Sequence, residues 1–147
     1  MTNSKPTSGR IVVGVDGSPC SILALKRARP IADASNWGID AVAAWQYPSY
    51  LGAGAIGDIH PDDDARQFLH NSIEAAFGDD LPVDLEEIVT RGIPSQVLIE
   101  ASAEAEMLVV GSRGHGGFVG LLLGSVSSQC AEHAWCPVLV VHSRDHH

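Results

Sequence analysis

The chain has 147 residues, 45% of them hydrophobic, which is typical of one globular domain with a sizeable core. Acidic residues outnumber basic ones by 18 to 9, and the formal net charge of -9 argues against a nucleic-acid partner because no basic patch offsets it. No apolar stretch is long enough to span a bilayer, so no membrane partner is expected.

The cysteines and the N-terminal residues are those expected of a cytoplasmic protein. Cys20, Cys130 and Cys136 form no CxxC pair and leave one thiol over in any disulfide scheme. Residues 1–9 are polar and lack the apolar core of a secretory signal. We therefore expect a cytoplasmic protein with a disordered lead over residues 1–9, one domain over 10–143 and a polar tail over 144–147.

The first half of the chain alternates between strand and helix signals. Residues 11–15 form a β-branched run typical of a strand buried on both faces. Ser18 followed by Pro19 predicts the N-cap and first position of a helix. A second apolar strand over residues 39–45 precedes a loop and a helix that opens at Pro61 with three aspartates, where the helix dipole favours acids.

The second half continues this alternation and completes a fold prediction. Its predicted elements are a strand over residues 83–89, a helix from 93 to about 104, a strand over 107–110, a helix over 124–134 and a strand over 137–141. Such alternation predicts a Rossmann-like α/β domain, an open parallel five-stranded sheet with helices on both faces. Ligands bind beyond the strand C-termini where the winding direction switches, and Asp16 and Gly111 would both lie there.

A glycine motif begins where the fourth strand ends. Residues 111–114 read Gly-Ser-Arg-Gly, and residues 124–127, Gly-Ser-Val-Ser, open the next helix. Glycines let the backbone approach a ligand closely, and a helix N-terminus offers free N–H groups to phosphate. No lysine lies between Gly114 and Gly124, so this is not a Walker A loop, and no dinucleotide fingerprint follows the first strand. The pattern predicts a nucleotide site.

At these residues the chain resembles the universal stress protein family. Its nucleotide-binding members carry G-x-x-G, nine residues, then G-[ST], which Gly111, Gly114, Gly124 and Ser125 match without a gap. The resemblance extends to residues 13–18 and 136–141. It implies a parallel sheet in the order 3-2-1-4-5, which agrees with the elements predicted above.

The resemblance also implies which residues contact an adenine nucleotide. Asp16 would lie beside the ribose or base, and the main chain of Ala43, Ala44 and Trp45 would face the adenine edge. Trp45 replaces a smaller aliphatic residue and would stack on adenine or narrow its pocket. The ribose and first phosphates would pass Gly111, Arg113 and Gly114. The outer phosphates would be held by Gly124, Ser125, Val126 and Ser127.

By this resemblance the protein would bind ATP or AMP, with Mg²⁺ accompanying ATP, and regulate stress adaptation through a ligand-dependent conformation or dimer surface. A homodimer would form through the last strand, Val138, Leu139, Val140 and Val141. No catalytic residues are predicted, because the glycine loop offers only His115 as a titratable group. Two alternatives stay open: a slow ATP hydrolase or nucleotide-transferring enzyme, and a ligand-free dimerisation module.

Other polar clusters have simpler interpretations. His60 beside residues 62–64 looks like a metal cluster, but acids in a first helical turn explain it better, and no metal site is predicted. His142, His146 and His147 lie in the tail and are assigned no site. Arg113 and Asp16 also have purely structural interpretations, as a solvated cation and as a turn-forming Asx residue.

Overall fold

Strands and helices alternate along the chain as predicted from the sequence. The structure is a computed structural model that describes residues 7–48, 59–114 and 123–143. Within these ranges the elements are β1 (Gly9–Gly14), α1 (Pro19–Ser35), β2 (Trp37–Trp45), α2 (Pro61–Phe77), β3 (Leu85–Arg91), α3 (Pro94–Ser102), β4 (Met107–Gly111), α4 (Ser125–His133) and β5 (Val138–Val141).

The five strands form one parallel sheet in the order β3-β2-β1-β4-β5, which confirms the predicted fold class. The chain winds outward from β1 to β3 and then crosses to the other side at β4. The carboxyl ends of β1 and β4 therefore flank the point where the winding switches, where a ligand crevice is expected. α1 and α2 cover one face of the sheet, and α3 and α4 cover the other.

Each face of the sheet has its own apolar core. Ile11, Val13 and Ile39 point towards α1 and α2, whereas Val12 and Leu108 point towards α3 and α4. Because side chains alternate between faces and both faces are covered, the central strands read as continuous apolar runs. None of the helices in the described ranges is long and apolar enough to cross a membrane.

The predicted cap of α1 is present in the structure. Ser18 has extended backbone angles, and its Oγ accepts the Ser21 N–H at 3.2 Å. Pro19 occupies the first helical position, where its missing N–H costs nothing. At the other end Asn36 adopts the left-handed conformation (φ 59°), and its N–H bonds to the Ala32 carbonyl.

Two boundaries differ from the sequence prediction. β1 begins at Gly9, and Thr7 Oγ1 donates to Asp84 Oδ2 at 2.5 Å, so residues 7–9 belong to the folded part rather than to the lead. β3 begins at Leu85, where pairing with β2 starts, whereas the Val83 side chain before it is 84% exposed.

An ion-pair cluster closes the amino-terminal edge of the sheet. The Arg10 guanidinium pairs with Asp40 at 2.5 Å, with Asp84, and with Glu86 at 3.6 Å. Hydrogen bonds from Thr7 and from Arg10 lower the pKa of the Asp84 carboxyl. This cluster connects β1 to β2 and to the start of β3, at the edge of the sheet opposite the carboxyl ends of the strands.

Candidate functional site

A cavity of about 510 Å³ opens at the carboxyl edge of the sheet, within the size range of small-molecule sites. The ends of β1, β2 and β4 and the starts of α3 and α4 form it. Its lining residues are Gly14, Val15, Asp16, Ser21, Val42, Ala44, Pro94, Leu98, Val110, Gly111, Arg113, Gly114, Gly124, Ser125, Val126 and Ser127.

The cavity combines an apolar wall with a polar mouth. Val42, Leu98 and Val110 are buried side chains of the α3 and α4 core that also face the cavity. Asp16 and Arg113 at the mouth are exposed. A ligand with a flat apolar ring and a polar substituent would fit such a cavity, with the ring against the apolar wall and the substituent at the mouth. Small-molecule sites typically combine an apolar lining with a few polar groups in this way.

Two glycines of the motif lie in close contact with the residues around the start of α1. A Cβ at Gly111 would lie 2.9 Å from the backbone carbon of Cys20, and a Cβ at Gly114 would overlap Asp16 Oδ2. Gly124 differs, because a Cβ there would lie 3.4 Å from the Ser112 carbonyl oxygen, an ordinary contact. Gly111 and Gly114 therefore let the exit of β4 lie close against residues 16–20, whereas a side chain at Gly124 could begin without a steric clash.

The Ser112 main chain joins the two halves of the glycine motif. Its carbonyl accepts the Gly124 N–H at 2.6 Å and the Ser127 hydroxyl at 3.0 Å. Its own N–H donates to the Val141 carbonyl at 2.8 Å. The exit of β4, the start of α4 and the end of β5 are thus connected through the main chain of one residue, Ser112.

The Ser127 hydroxyl has a structural role that sequence reasoning did not identify. The residue is 2% exposed, and its single hydroxyl proton is directed at the carbonyls of Ser112 (3.0 Å) and Gly124 (3.1 Å). Phosphate oxygens accept hydrogen bonds, so this hydroxyl could bind phosphate only by giving up those partners. The local Ser-to-i−3 spacing to Gly124 was the one available sequence signal.

The start of α4 is the most favourable place for an anion. Gly124 is the N-cap and supplies no side-chain cap to the first turn. The N-terminal N–H groups and the positive end of the helix dipole face the cavity mouth beside the exposed Ser125.

Asp16 is held in a defined orientation at the mouth. Its Oδ1 accepts the Ser18 N–H at 2.9 Å, and its own N–H donates to Ser21 Oγ at 3.3 Å. Oδ2 lies against Gly114. Asp16 therefore forms the predicted turn and also lies at the mouth of the cavity.

Of the three β2 residues expected near adenine, Ala44 alone lines the cavity. Ala43 is fully buried in the core beneath α1 and α2, and Trp45 packs against that same core. The Trp45 ring lies edge-on to Tyr47, with centroids 5.4 Å apart, and near the Arg91 guanidinium at 5.7 Å. Because strand side chains alternate, Trp45 points away from Ala44, and its ring does not narrow this cavity.

The structure adds lining residues that the sequence did not identify. Val42 and Val110 precede predicted site residues on their strands, whereas Pro94 and Leu98 come from α3, which follows the edge strand β3. α3 lies beside the cavity because the chain crosses from β3 at the sheet edge to β4 near its centre. The local sequence of α3 does not indicate this crossover.

The remaining predicted polar candidates lie elsewhere. His115, His146 and His147 fall outside the described residues. The ligand atoms of His60, Asp62 and Asp63 lie within 4.8 Å of one another, and Arg66 pairs with both carboxylates at 3.3 and 3.1 Å. These pairs are typical of surface acids at a helix start.

The cysteines in the described ranges are free thiols that pack as small hydrophobic groups. Burial raises the pKa of the Cys130 thiol to about 11. Burial, with the nearby Glu106, raises that of Cys136.

Comparison with known sequences places this architecture in a family. The universal stress protein family profile matches residues 7–142. A universal stress protein of Mycolicibacterium smegmatis is 37% identical over 140 residues, covering 91% of this chain and 46% of that protein. Universal stress protein Rv2624c of Mycobacterium tuberculosis is 35% identical over 151 residues, covering 95% and 50%. The chain spans about half the length of these curated relatives.

Solved structures agree on the fold. UspA from Lactobacillus plantarum is 21% identical, with a TM-score of 0.77 over 95% of this chain and 99% of that chain. A universal stress protein in complex with cAMP is 33% identical, with a TM-score of 0.65 over 91% and 97%. An Arabidopsis thaliana family protein with AMP bound is 22% identical, with a TM-score of 0.59 over 93% of each chain. The chain belongs to the universal stress protein family.

Proposed function

We propose that this chain binds an adenine nucleotide in the cavity at the carboxyl edge of its sheet. The proposal is based on one observation: the same cavity contains an apolar wall and the start of α4, which has no side-chain cap. The 33% identical relative whose structure contains cAMP supports adenine as the base.

Each part of the ligand has a matching surface. The base fits the apolar wall of Val42, Ala44 and Leu98, and the phosphate fits the first turn of α4, with Arg113 as a cation beside it. The Asp16 carboxylate is an acceptor suited to ribose hydroxyls. ATP and AMP are both candidates, and Mg²⁺ would accompany ATP because the magnesium ion offsets part of the triphosphate charge.

The biological role we propose is regulatory rather than catalytic. Among the described lining residues, Asp16 is the one carboxylate, and neither a histidine nor a lysine accompanies it. Phosphoryl transfer requires more groups than this lining supplies. We propose instead that occupancy alters a surface used in stress adaptation.

That surface is the last strand of the sheet, through which we propose a homodimer. Val138, Leu139 and Val140 of β5 are half-buried on an edge that pairs only with β4 among the described strands. An apolar edge strand favours pairing with a second chain. The Ser112 N–H bond to the Val141 carbonyl connects this strand to the glycine motif.

A bulky substitution at Gly124 tests the binding site. Gly124→Leu keeps an allowed backbone (φ -73°) and a tolerable Cβ position but places a bulky side chain on a residue that lines the cavity at the start of α4. We expect at least a tenfold loss of affinity for AMP and Mg-ATP by calorimetric titration, with an unchanged circular dichroism spectrum. Ala131→Leu, which places the same new side chain on the exposed side of α4, is the matched control. Wild-type affinity in Gly124→Leu would place the ligand elsewhere.

A further inference from the structure

A second cavity lies at the amino-terminal edge of the sheet, opposite the proposed nucleotide site. Its volume is about 520 Å³, close to that of the first cavity. It lies between the end of α1, the start of β2 and the segment that precedes β3. We call it the amino-edge groove; its apolar lining residues are Ala32, Trp37, Pro82 and Val83, and its acidic ones are Asp33 and Asp84.

The apolar side of the amino-edge groove continues onto the surface of the protein. The Val83 side chain is 84% exposed, and Leu81, two residues before it, is 52% exposed. Trp37 packs partly against the α1 and α2 core and also lines the groove. Single exposed apolar residues are ordinary, but a group of them beside a cavity is typical of an interaction site.

Carboxylates outnumber cations around this apolar surface. Two arginines pair with acids here, Arg10 with Asp40, Asp84 and Glu86, and Arg29 with Asp33 and Asp80. Five carboxylates and two guanidinium groups leave a formal charge of -3 on these residues. Asp33 and Asp84 line the groove, whereas neither arginine does. The carboxyl end of α1 adds the negative end of its helix dipole.

These features restrict the kind of partner that fits the amino-edge groove. The negative charge repels phosphate and carboxylate groups, so the groove is unsuited to a nucleotide. Small-molecule sites enclose most of their ligand, but here Val83 and Leu81 extend the apolar surface out to solvent. A protein segment can cover such a surface. Arginine on that segment would pair with carboxylates and stack on the ring of Trp37.

We propose that the amino-edge groove docks a segment of another protein in which apolar side chains are flanked by arginine or lysine. The apolar side chains of the partner pack on Trp37, Pro82 and Val83, and its cations face Asp33 and Asp84. Charge complementarity of this kind favours basic partners and excludes acidic ones. The proposal is independent of nucleotide binding at the opposite edge of the sheet.

The test is a calorimetric titration of the full chain with three synthetic peptides of eight residues. The first has two leucines flanked by arginines, with glycine and serine elsewhere; the second replaces the arginines by glutamates, and the third replaces the leucines by serines. We expect the first peptide to bind one per chain with a dissociation constant in the tens of micromolar. The other two should bind at least about tenfold more weakly, because each lacks half of the recognition.

Two pairs of variants test whether the peptide occupies the amino-edge groove. Val83→Ser should weaken binding of the first peptide about fivefold, whereas Ile93→Ser, at an exposed apolar residue before α3, should not. Asp33→Asn should weaken it about threefold, whereas Asp64→Asn, at an exposed acid in the first turn of α2, should not. Circular dichroism spectra of the four variants should match that of the wild type.

The proposal would be overturned by any of four results. These are no binding of the first peptide, equally tight binding of the glutamate peptide, and equal losses in a groove variant and its control, which would indicate attraction by net charge alone. The fourth is self-association of the wild type that Val83→Ser abolishes, because a second copy of this chain would then occupy the groove.

Discussion

Replacing Ser127 by alanine isolates the hydrogen bond that closes the glycine motif. The side chain is 2% exposed, and its hydroxyl lies 3.0 Å from the Ser112 carbonyl oxygen. A buried hydrogen bond contributes about 1 kcal/mol net. Because the Ser112 carbonyl also accepts the Gly124 N–H at 2.6 Å, the substitution leaves no unpaired acceptor there. Alanine's higher helix propensity offsets about 0.4 kcal/mol of the loss.

These contributions predict a modest loss of stability in Ser127→Ala. We expect the free energy of unfolding to decrease by roughly 0.5–1 kcal/mol, which corresponds to roughly 2–3 °C in Tm for a chain of this length. The affinity for every adenine ligand should fall about threefold, adenosine included, because the start of α4 is then less well fixed against β4. Differential scanning fluorimetry and calorimetric titration measure the two effects.

Ser125→Ala is the matched control, since Ser125 is the exposed serine of the same turn. It should weaken only ligands that carry phosphate and should leave adenosine binding unchanged. The structural role of Ser127 would be refuted if Ser127→Ala kept the wild-type Tm and adenosine affinity while losing phosphate-bearing ligands. Its hydroxyl would then donate to phosphate, as the family resemblance implies.

Two further predictions concern the opposite edge and the last strand of the sheet. The pKa of Asp84 is lowered in the folded chain, so its contribution is present above its unfolded value and is lost as pH falls through its folded pKa. Denaturant titrations of wild type and Asp84→Asn measure this contribution as a difference in unfolding free energy. The difference should be constant near neutrality and should decrease below about pH 4. A difference that is unchanged down to about pH 3 would contradict the role of the ion pairs. In sedimentation experiments the wild type should have twice the chain mass, and Val140→Lys should have the mass of a monomer. The control Val83→Lys changes an exposed valine outside β5 and should stay dimeric. A monomeric wild type would exclude the proposed dimer.

The strands and helices of the fold could be predicted largely from local sequence patterns. The β-branched run in β1 and the Ser18–Pro19 cap define a strand and a helix start, and both are present in the structure. The strand order was implied only by the family resemblance, because pairing between distant segments leaves no local trace. The start of β1 was placed too late, since Gly9 has low strand propensity and is held there by pairing with Trp37 of β2.

The site could be predicted from the sequence only in part. The glycine spacing located the loop between β4 and α4, and of residues 111–114 and 124–127 all except Ser112 line the cavity. The side of the sheet on which the Trp45 ring lies depends on how the side chains of β2 alternate between the two cores. The neighbours of Trp45 in the sequence, Ala44 and Gln46, do not reveal that side. The contribution of α3 and the internal use of the Ser127 hydroxyl depend on tertiary contacts.

Calorimetric titration of the nucleotide-stripped full chain shows whether the cavity binds an adenine nucleotide. Titration with cAMP, and with ATP in the presence of magnesium, should give a dissociation constant in the micromolar range, about -8 kcal/mol, and an increase in Tm. Absence of heat with both ligands, together with an unchanged Tm, would contradict nucleotide binding and favour a ligand-free dimerisation module.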